Sequence, residues 1–224
     1  PLPHGFHRVS ADDFGAYRHD RFAVEWMPQQ EPGTRPATAL PYQLYADATL
    51  NAGRTAVELR LKAATDFFGV RTPGAPFHVY TPGPYQGAAR LRTRAYAVAA
   101  GAELTDAWAL DGFPNKTYHL CICGPNGFLR EVAGTADDPA LEVHCDYEVS
   151  AKTPTGDLVL HLKAQQSMRL RLRDNAYGAA EKTIALKAGA PQSVVLSLAR
   201  SHRWYDFTLA VEGAPAWLRR IAGR

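Results

Sequence analysis

The second half of this chain repeats the first. Trp217-Leu-Arg-Arg-Ile-Ala-Gly223 near the end answers to Phe128-Leu-Arg-Glu-Val-Ala-Gly134, eighty-nine residues earlier. Val57-Glu-Leu-Arg-Leu-Lys-Ala63 returns as Leu158-Val-Leu-His-Leu-Lys-Ala164, Tyr118-His-Leu as Tyr205-Asp-Phe, and Ala100-Gly101 as Ala188-Gly189. Four matches in the same order mark two copies of one unit rather than a single large enzyme fold. An active site duplicated with its fold should appear twice, and none does. At 224 residues the chain can hold two domains of roughly 90 to 100 residues, each with its own core.

Each copy has the pattern of strands. Val57, Leu59 and Leu61 alternate with Glu58, Arg60 and Lys62, while Leu158, Leu160 and Leu162 alternate with Val159, His161 and Lys163. A period of two over this length means a strand with one buried and one wetter face. Gly124-Pro-Asn-Gly127 reads as a hairpin turn, because Gly and Asn tolerate the positive φ such turns need. Seven short strands are expected in each copy, near 42–50, 56–63, 76–80, 91–98, 103–110, 117–123 and 127–133, then 141–150, 157–164, 168–174, 182–186, 192–198, 204–212 and 216–222. That count, without a strong helical period, predicts an all-β fold of two tandem immunoglobulin-like antiparallel β-sandwich domains. Tyr118 and Tyr205 are candidates for corner tyrosines of such a fold.

The expected organisation is an irregular leader and linker over 1–39, a first repeat over 40–134 and a second over 139–224. The leader ends in the Pro-rich run Gln29-Gln-Glu-Pro-Gly-Thr-Arg-Pro36. A start at Pro1 suggests a segment cut from something longer. The first copy carries about thirteen extra residues within Thr65 to Tyr96, a stretch holding Phe67, Phe68, Phe77, Tyr80, Tyr85 and Tyr96. A lengthened aromatic loop can bind, or can pack on the linker or a neighbour; the second is the simpler expectation.

The net charge of +3 is too small to argue for nucleic acid, and no apolar run approaches the roughly 18 residues a bilayer span needs. Two arginine ladders stand out: Arg90, Arg92 and Arg94, and Arg169, Arg171 and Arg173. Three guanidinium groups about 7 Å apart on one strand face suit phosphate or carboxylate groups, and so are candidates for contact with lipid headgroups. They can equally be a soluble strand face. Cys121 and Cys123 should face outward with His119, and Cys145 inward beside Val143 and Tyr147. A C-x-C with a nearby His can bind zinc, but the usual spacing is C-x2–4-C followed by a second pair. His4, His7 and His19 lie with Asp12, Asp13 and Asp20 in the leader without a register to organise them. Ser201, His202 and Asp206 lie close in sequence, which does not make a triad. No G-x-S-x-G, phosphate-binding glycine loop or H-E-x-x-H occurs. The residues thus give no catalytic, cofactor or metal position.

Gln30-Glu-Pro-Gly-Thr-Arg-Pro-Ala37 followed by Ala39-Leu-Pro-Tyr42 resembles the junction after the catalytic domain of bacterial phosphocholine-specific phospholipases C. Gly124-Pro-Asn-Gly-Phe-Leu-Arg130, Asp174-Asn-Ala-Tyr-Gly178 and Trp204-Tyr-Asp-Phe207 resemble recurring motifs of their paired C-terminal domains. The resemblance spans about residues 29 to 224. It implies a parent that cleaves phosphatidylcholine to phosphocholine and diacylglycerol, is exported as a secreted or periplasmic protein, and carries its metal-dependent machinery in an N-terminal domain. This chain would then be a non-catalytic accessory region whose partners are that catalytic domain and the phospholipid membrane. The alternative is a structural or docking module that supports the catalytic domain or meets a chaperone.

Overall fold

A computed structural model describes residues 40–224 apart from 88 and 91. The leader, with its histidines and aspartates, therefore lies outside the described residues. The first repeat supplies β1 (Gln43–Leu50), β2 (Ala56–Ala64), β3 (Ala75–Tyr80), the short β4 (Pro84–Tyr85) and β5 (Ala89–Arg90), β6 (Thr93–Val98), β7 (Glu103–Ala109), β8 (Tyr118–Cys123) and β9 (Leu129–Gly134). The second supplies β10 (Leu141–Ser150), β11 (Thr153–Ala164), β12 (Met168–Asp174), β13 (Lys182–Leu186), β14 (Pro191–Leu196), β15 (Tyr205–Val211) and β16 (Ala214–Gly223). The fold is all-β and antiparallel, with only short 3-10 turns and no α-helix among the described residues.

In each repeat three strands face four. The first core lies between β1-β2-β7 and β6-β3-β8-β9, and the second between β10-β11-β14 and β13-β12-β15-β16. The inward residues are those the alternation selects. Val57, Leu59 and Leu61 join Trp108, Tyr118, Leu120 and Ile122, whereas Leu158, Leu160 and Leu162 join Leu170, Leu209 and Trp217. Each such leucine removed from water contributes about 2 kcal/mol before chain entropy is counted. Cys145 is buried in the second core.

The extra loop of the first repeat spends most of its aromatics on this packing. Phe77 and Tyr85 are core residues, with Tyr85 edge-on to Trp108 and Phe113 at 5.0 and 4.7 Å. Phe67 packs on Tyr147 of the second repeat at 5.7 Å. The neighbour that covers these rings is therefore the chain itself.

The two four-stranded layers are one sheet. β9 pairs antiparallel with β16, giving the order β13-β12-β15-β16-β9-β8-β3-β6. β9 and β16 are the equivalent last strands of the two copies, so their ladder has an approximate twofold axis. Its centre is Glu131 opposite Arg220, two positions that match in the repeat. Around this axis each repeat sends an arginine into the other. Arg219 donates to the Tyr118 hydroxyl at 2.8 Å, and Arg130, buried, reaches the Tyr205 hydroxyl at 3.5 Å and the Ala222 carbonyl at 3.2 Å. Tyr118 and Tyr205 thus tie the repeats together rather than serving as corners within each. Tyr118 also donates to the buried Asp138 carboxylate, which accepts the Thr135 N–H and closes the connecting turn. A side chain at Gly134 would collide with that carboxylate, its Cβ coming within 2.1 Å of Asp138 Oδ2.

Candidate functional site

The exposed face of β12 carries Arg169, Arg171 and Arg173, while Leu170 and Leu172 point into the core. Strict alternation produces the ladder, and none of the three makes an ion pair among the described residues. Arg173 donates from Nε to Asn175 Oδ1 at 3.2 Å. The strand ends in a fixed turn. Asp174 accepts the N–H groups of Ala176, Tyr177 and Ala179 at 2.9–3.0 Å. Burial, the largest influence on this carboxyl, raises its pKa, but the three N–H donors together outweigh it and hold the pKa below the usual range. The turn that follows the arginines carries Tyr177, an exposed aromatic residue.

The first ladder is not a ladder. Arg90 ends β5, Arg94 belongs to β6, and Arg92 lies between strands, so the three do not share one strand face. Arg94 is also engaged within its own repeat: it pairs with Asp106 at 2.7 Å and lies over the Trp108 ring at 4.0 Å. Sequence alternation alone could not reveal the break, because the Arg-x-Arg spacing survives it.

Between the ladder and β8 runs a chain of charge-assisted contacts on the outward face of the long sheet. Asn175 donates to Asp206, which accepts Arg220 Nε and Nη2 at 2.8 and 2.7 Å. Arg220 Nη1 then reaches Glu131 Oε2 at 3.3 Å, and His119 Nε2 meets Glu131 Oε1 at 2.8 Å. The Arg220 hydrogen bonds are the main reason the Asp206 carboxyl is held below its usual pKa. Cys121 stands directly across the ladder from Glu131, two residues beyond His119. The imidazole, thiol and carboxylate donor atoms lie within 4.8 Å of one another. Cys121 is on the outward side, as alternation requires, yet it is covered, and burial pushes its thiol up to about 11. Its hydrogen bond to Tyr80 chiefly accounts for a phenol pushed up to about 12.

A concavity of about 1020 Å³ lies between the outward faces of the two three-stranded layers. Its floor is the meeting of β1 and β10. Asp47 bonds His144 Nδ1 at 2.9 Å, and the His144 and His161 rings stack at 6.3 Å. The Asp47 hydrogen bond raises the His144 pKa. His161 Nδ1 meets Ser193 Oγ at 2.9 Å. A serine–imidazole pair and an imidazole–carboxylate pair thus share one cleft, but through different rings, so no connected triad forms. Asp47, Glu58, Asp106 and Glu142 there outnumber Arg60 and Lys163, an excess of acid that favours no simple anion. Ser201, His202 and Asp206, close in sequence, do not converge either. The Ser201 hydroxyl donates to the Leu198 carbonyl, and Asp206 is held by Arg220.

Comparison with known proteins places this architecture. The family model described as bacterial phospholipase C, C-terminal domain, matches the chain twice, over residues 36–135 and 141–224. The chain belongs to this family of phospholipase C C-terminal domains. Among individual relatives, it is 34% identical over 212 residues to a non-hemolytic phospholipase C of Pseudomonas aeruginosa, covering 90% of this chain and 28% of that protein. It is 33% identical over 205 residues to a non-hemolytic phospholipase C of Burkholderia pseudomallei, covering 90% and 27%. It is 31% identical over 216 residues to a hemolytic phospholipase C of Pseudomonas aeruginosa, covering 88% and 29%. The chain therefore spans less than a third of the length of these relatives. Across the family match it is an accessory C-terminal region of the phospholipase C type.

Proposed function

We propose that this chain is a non-catalytic accessory region that holds a secreted or periplasmic phospholipase C against its membrane substrate. In this reading the parent hydrolyses phosphatidylcholine to phosphocholine and diacylglycerol, and an N-terminal catalytic domain is the covalent partner. The two repeats, 40–134 and 139–224, are sandwich domains welded into a platform. The membrane contact is assigned to Arg169, Arg171 and Arg173, with Tyr177 as the interfacial ring. Arg94 is left out, because its guanidinium is taken by Asp106 and Trp108.

The observation that carries the proposal is the exposed β12 face, where three arginines without carboxylate partners among the described residues end on a fixed turn bearing an exposed tyrosine. A basic residue at an anionic membrane surface contributes about 1 kcal/mol, so three contribute on the order of a hundredfold in partitioning at low salt. Cosedimentation with phosphatidylcholine vesicles, with and without anionic lipid, tests this at low and physiological salt. Salt-sensitive binding is expected. Alanine at all three arginines should abolish most of it while leaving stability within about 0.5 kcal/mol. A triple variant that binds as well as the parent chain, or a parent that binds no vesicle, sinks the assignment and favours docking to another protein.

A further inference from the structure

We propose that His119, Cys121 and Glu131 form a binding site for a zinc-type divalent metal ion on the outward face of the β8–β9 hairpin. The register of the hairpin makes the site. Cys121 and Glu131 are directly opposed, and His119 precedes Cys121 by one pleat on the same face. The three donor atoms already lie within 4.8 Å, with His119 Nε2 and Glu131 Oε1 at 2.8 Å. Ligand atoms held tetrahedrally at zinc distances lie about 3.3–3.7 Å apart, so side-chain shifts of about 1 Å accommodate an ion. The backbone need not move.

The donor set selects the class of metal. A thiolate, an imidazole and a carboxylate suit zinc and its neighbours, not calcium or magnesium, which take oxygen ligands. Thiolate and carboxylate together neutralise the ion. Arg220, itself a cation, cannot ligate the ion, and its closest carboxylate is Asp206 at 2.7 Å. It instead holds Glu131 by Oε2 and leaves Oε1, the atom beside His119, for the metal. A guanidinium orienting a ligand carboxylate is the kind of support that metal sites use. The His119 side chain is 41% exposed, so the fourth position opens to solvent.

The second repeat explains why the site occurs once. The positions matching His119, Cys121 and Glu131 are Asp206, Thr208 and Arg220. There an acid and a base close on each other, and no softer donor remains.

Cobalt(II) titration of the chelator-stripped full chain is the test. One equivalent should produce a thiolate-to-cobalt charge-transfer band in the near ultraviolet, with visible bands of tetrahedral intensity. Zinc should bleach both. Cys121→Ser should lose the charge-transfer band, whereas Cys145→Ser, at a thiol buried in the second core, should keep it. His119→Ala, at a half-buried position outside both cores, should weaken cobalt binding by at least the roughly tenfold that loss of a supporting residue costs. A parent chain without the band, a band that survives Cys121→Ser, or unchanged affinity in His119→Ala overturns the assignment.

Discussion

On the outward side of β15 and β16, Asp206 and Arg220 form a closed ion pair with Thr208 beside them; the matching positions on β8 and β9 hold His119, Cys121 and Glu131. Both sets rest on the same backbone, opposite one another across the sheet that joins the repeats. Their difference follows from a constraint of duplication. At a twofold axis equivalent residues face each other, so identical copies would set like charge against like. In this chain the axis positions carry Glu131 against Arg220 in the long sheet and Asp47 against His144 where β1 meets β10. The copies have diverged most usefully where they touch. Their cores kept the same alternation of apolar residues, Val57, Leu59 and Leu61 answering to Leu158, Leu160 and Leu162 and Tyr118 to Tyr205.

The two crossing arginines give the largest way to break this comparison. Arg130→Ala should cost about 3 kcal/mol of unfolding free energy, because it leaves a void beside Phe128 and strips partners from Tyr205 and the Ala222 carbonyl. Its counterpart Arg219→Ala should cost less, about 2 kcal/mol, since Asp138 keeps the Tyr118 hydroxyl and the Thr135 N–H. Urea unfolding measures both, and equal losses would show the two crossings to be symmetric after all. Next in size is Arg220→Glu, which gathers three carboxylates at the axis and should lose roughly 1–2 kcal/mol. Glu131→Gln, which keeps the shape and removes one charge, should cost well under half as much.

A smaller effect comes from pH. The Asp47 hydrogen bond raises the His144 pKa in the folded chain above the roughly 6.5 of an unfolded histidine. The folded state therefore holds this proton more tightly. The stabilisation is complete below about pH 6.5 and fades as pH rises through the raised value. Both groups are partly exposed, so the expected gain on moving from about pH 8 to about pH 6 is under about 1 kcal/mol. His161, Asp146 and Arg60 face the same ring, so the clean comparison is with Asp47→Asn. That variant should lose the part of the pH slope due to His144, and an unchanged slope would assign it elsewhere.

Much of this fold is legible in the residues. A period of two marks the strands to within a few positions, and the internal repeat marks that the architecture is made twice. The second arginine ladder is legible for the same reason, since Arg169, Arg171 and Arg173 alternate with Met168, Leu170 and Leu172 on one unbroken strand. The first is not, because nothing in Arg90 to Arg94 announces that pairing stops between β5 and β6. Tyr118 and Tyr205 are the least legible. They do lie at the start of the penultimate strands, but the arginines that reach their hydroxyls sit 101 and 75 residues away across a sheet junction that no local pattern encodes. Cys121 and Glu131 are an intermediate case. The Gly124-Pro-Asn-Gly127 turn sets Cys123 opposite Leu129 and hence Cys121 opposite Glu131, a register that can be counted from the hairpin once the turn is recognised.

The central structural claim is that β9 and β16, with the crossed arginines, make the repeats one body. Hydrogen exchange followed by mass spectrometry in rising urea compares the two cores directly, through β2 in the first and β11 in the second. Both should open with the same free energy and the same urea dependence, and Arg130→Ala combined with Arg219→Ala should separate them. Two different opening energies in the parent chain would contradict it.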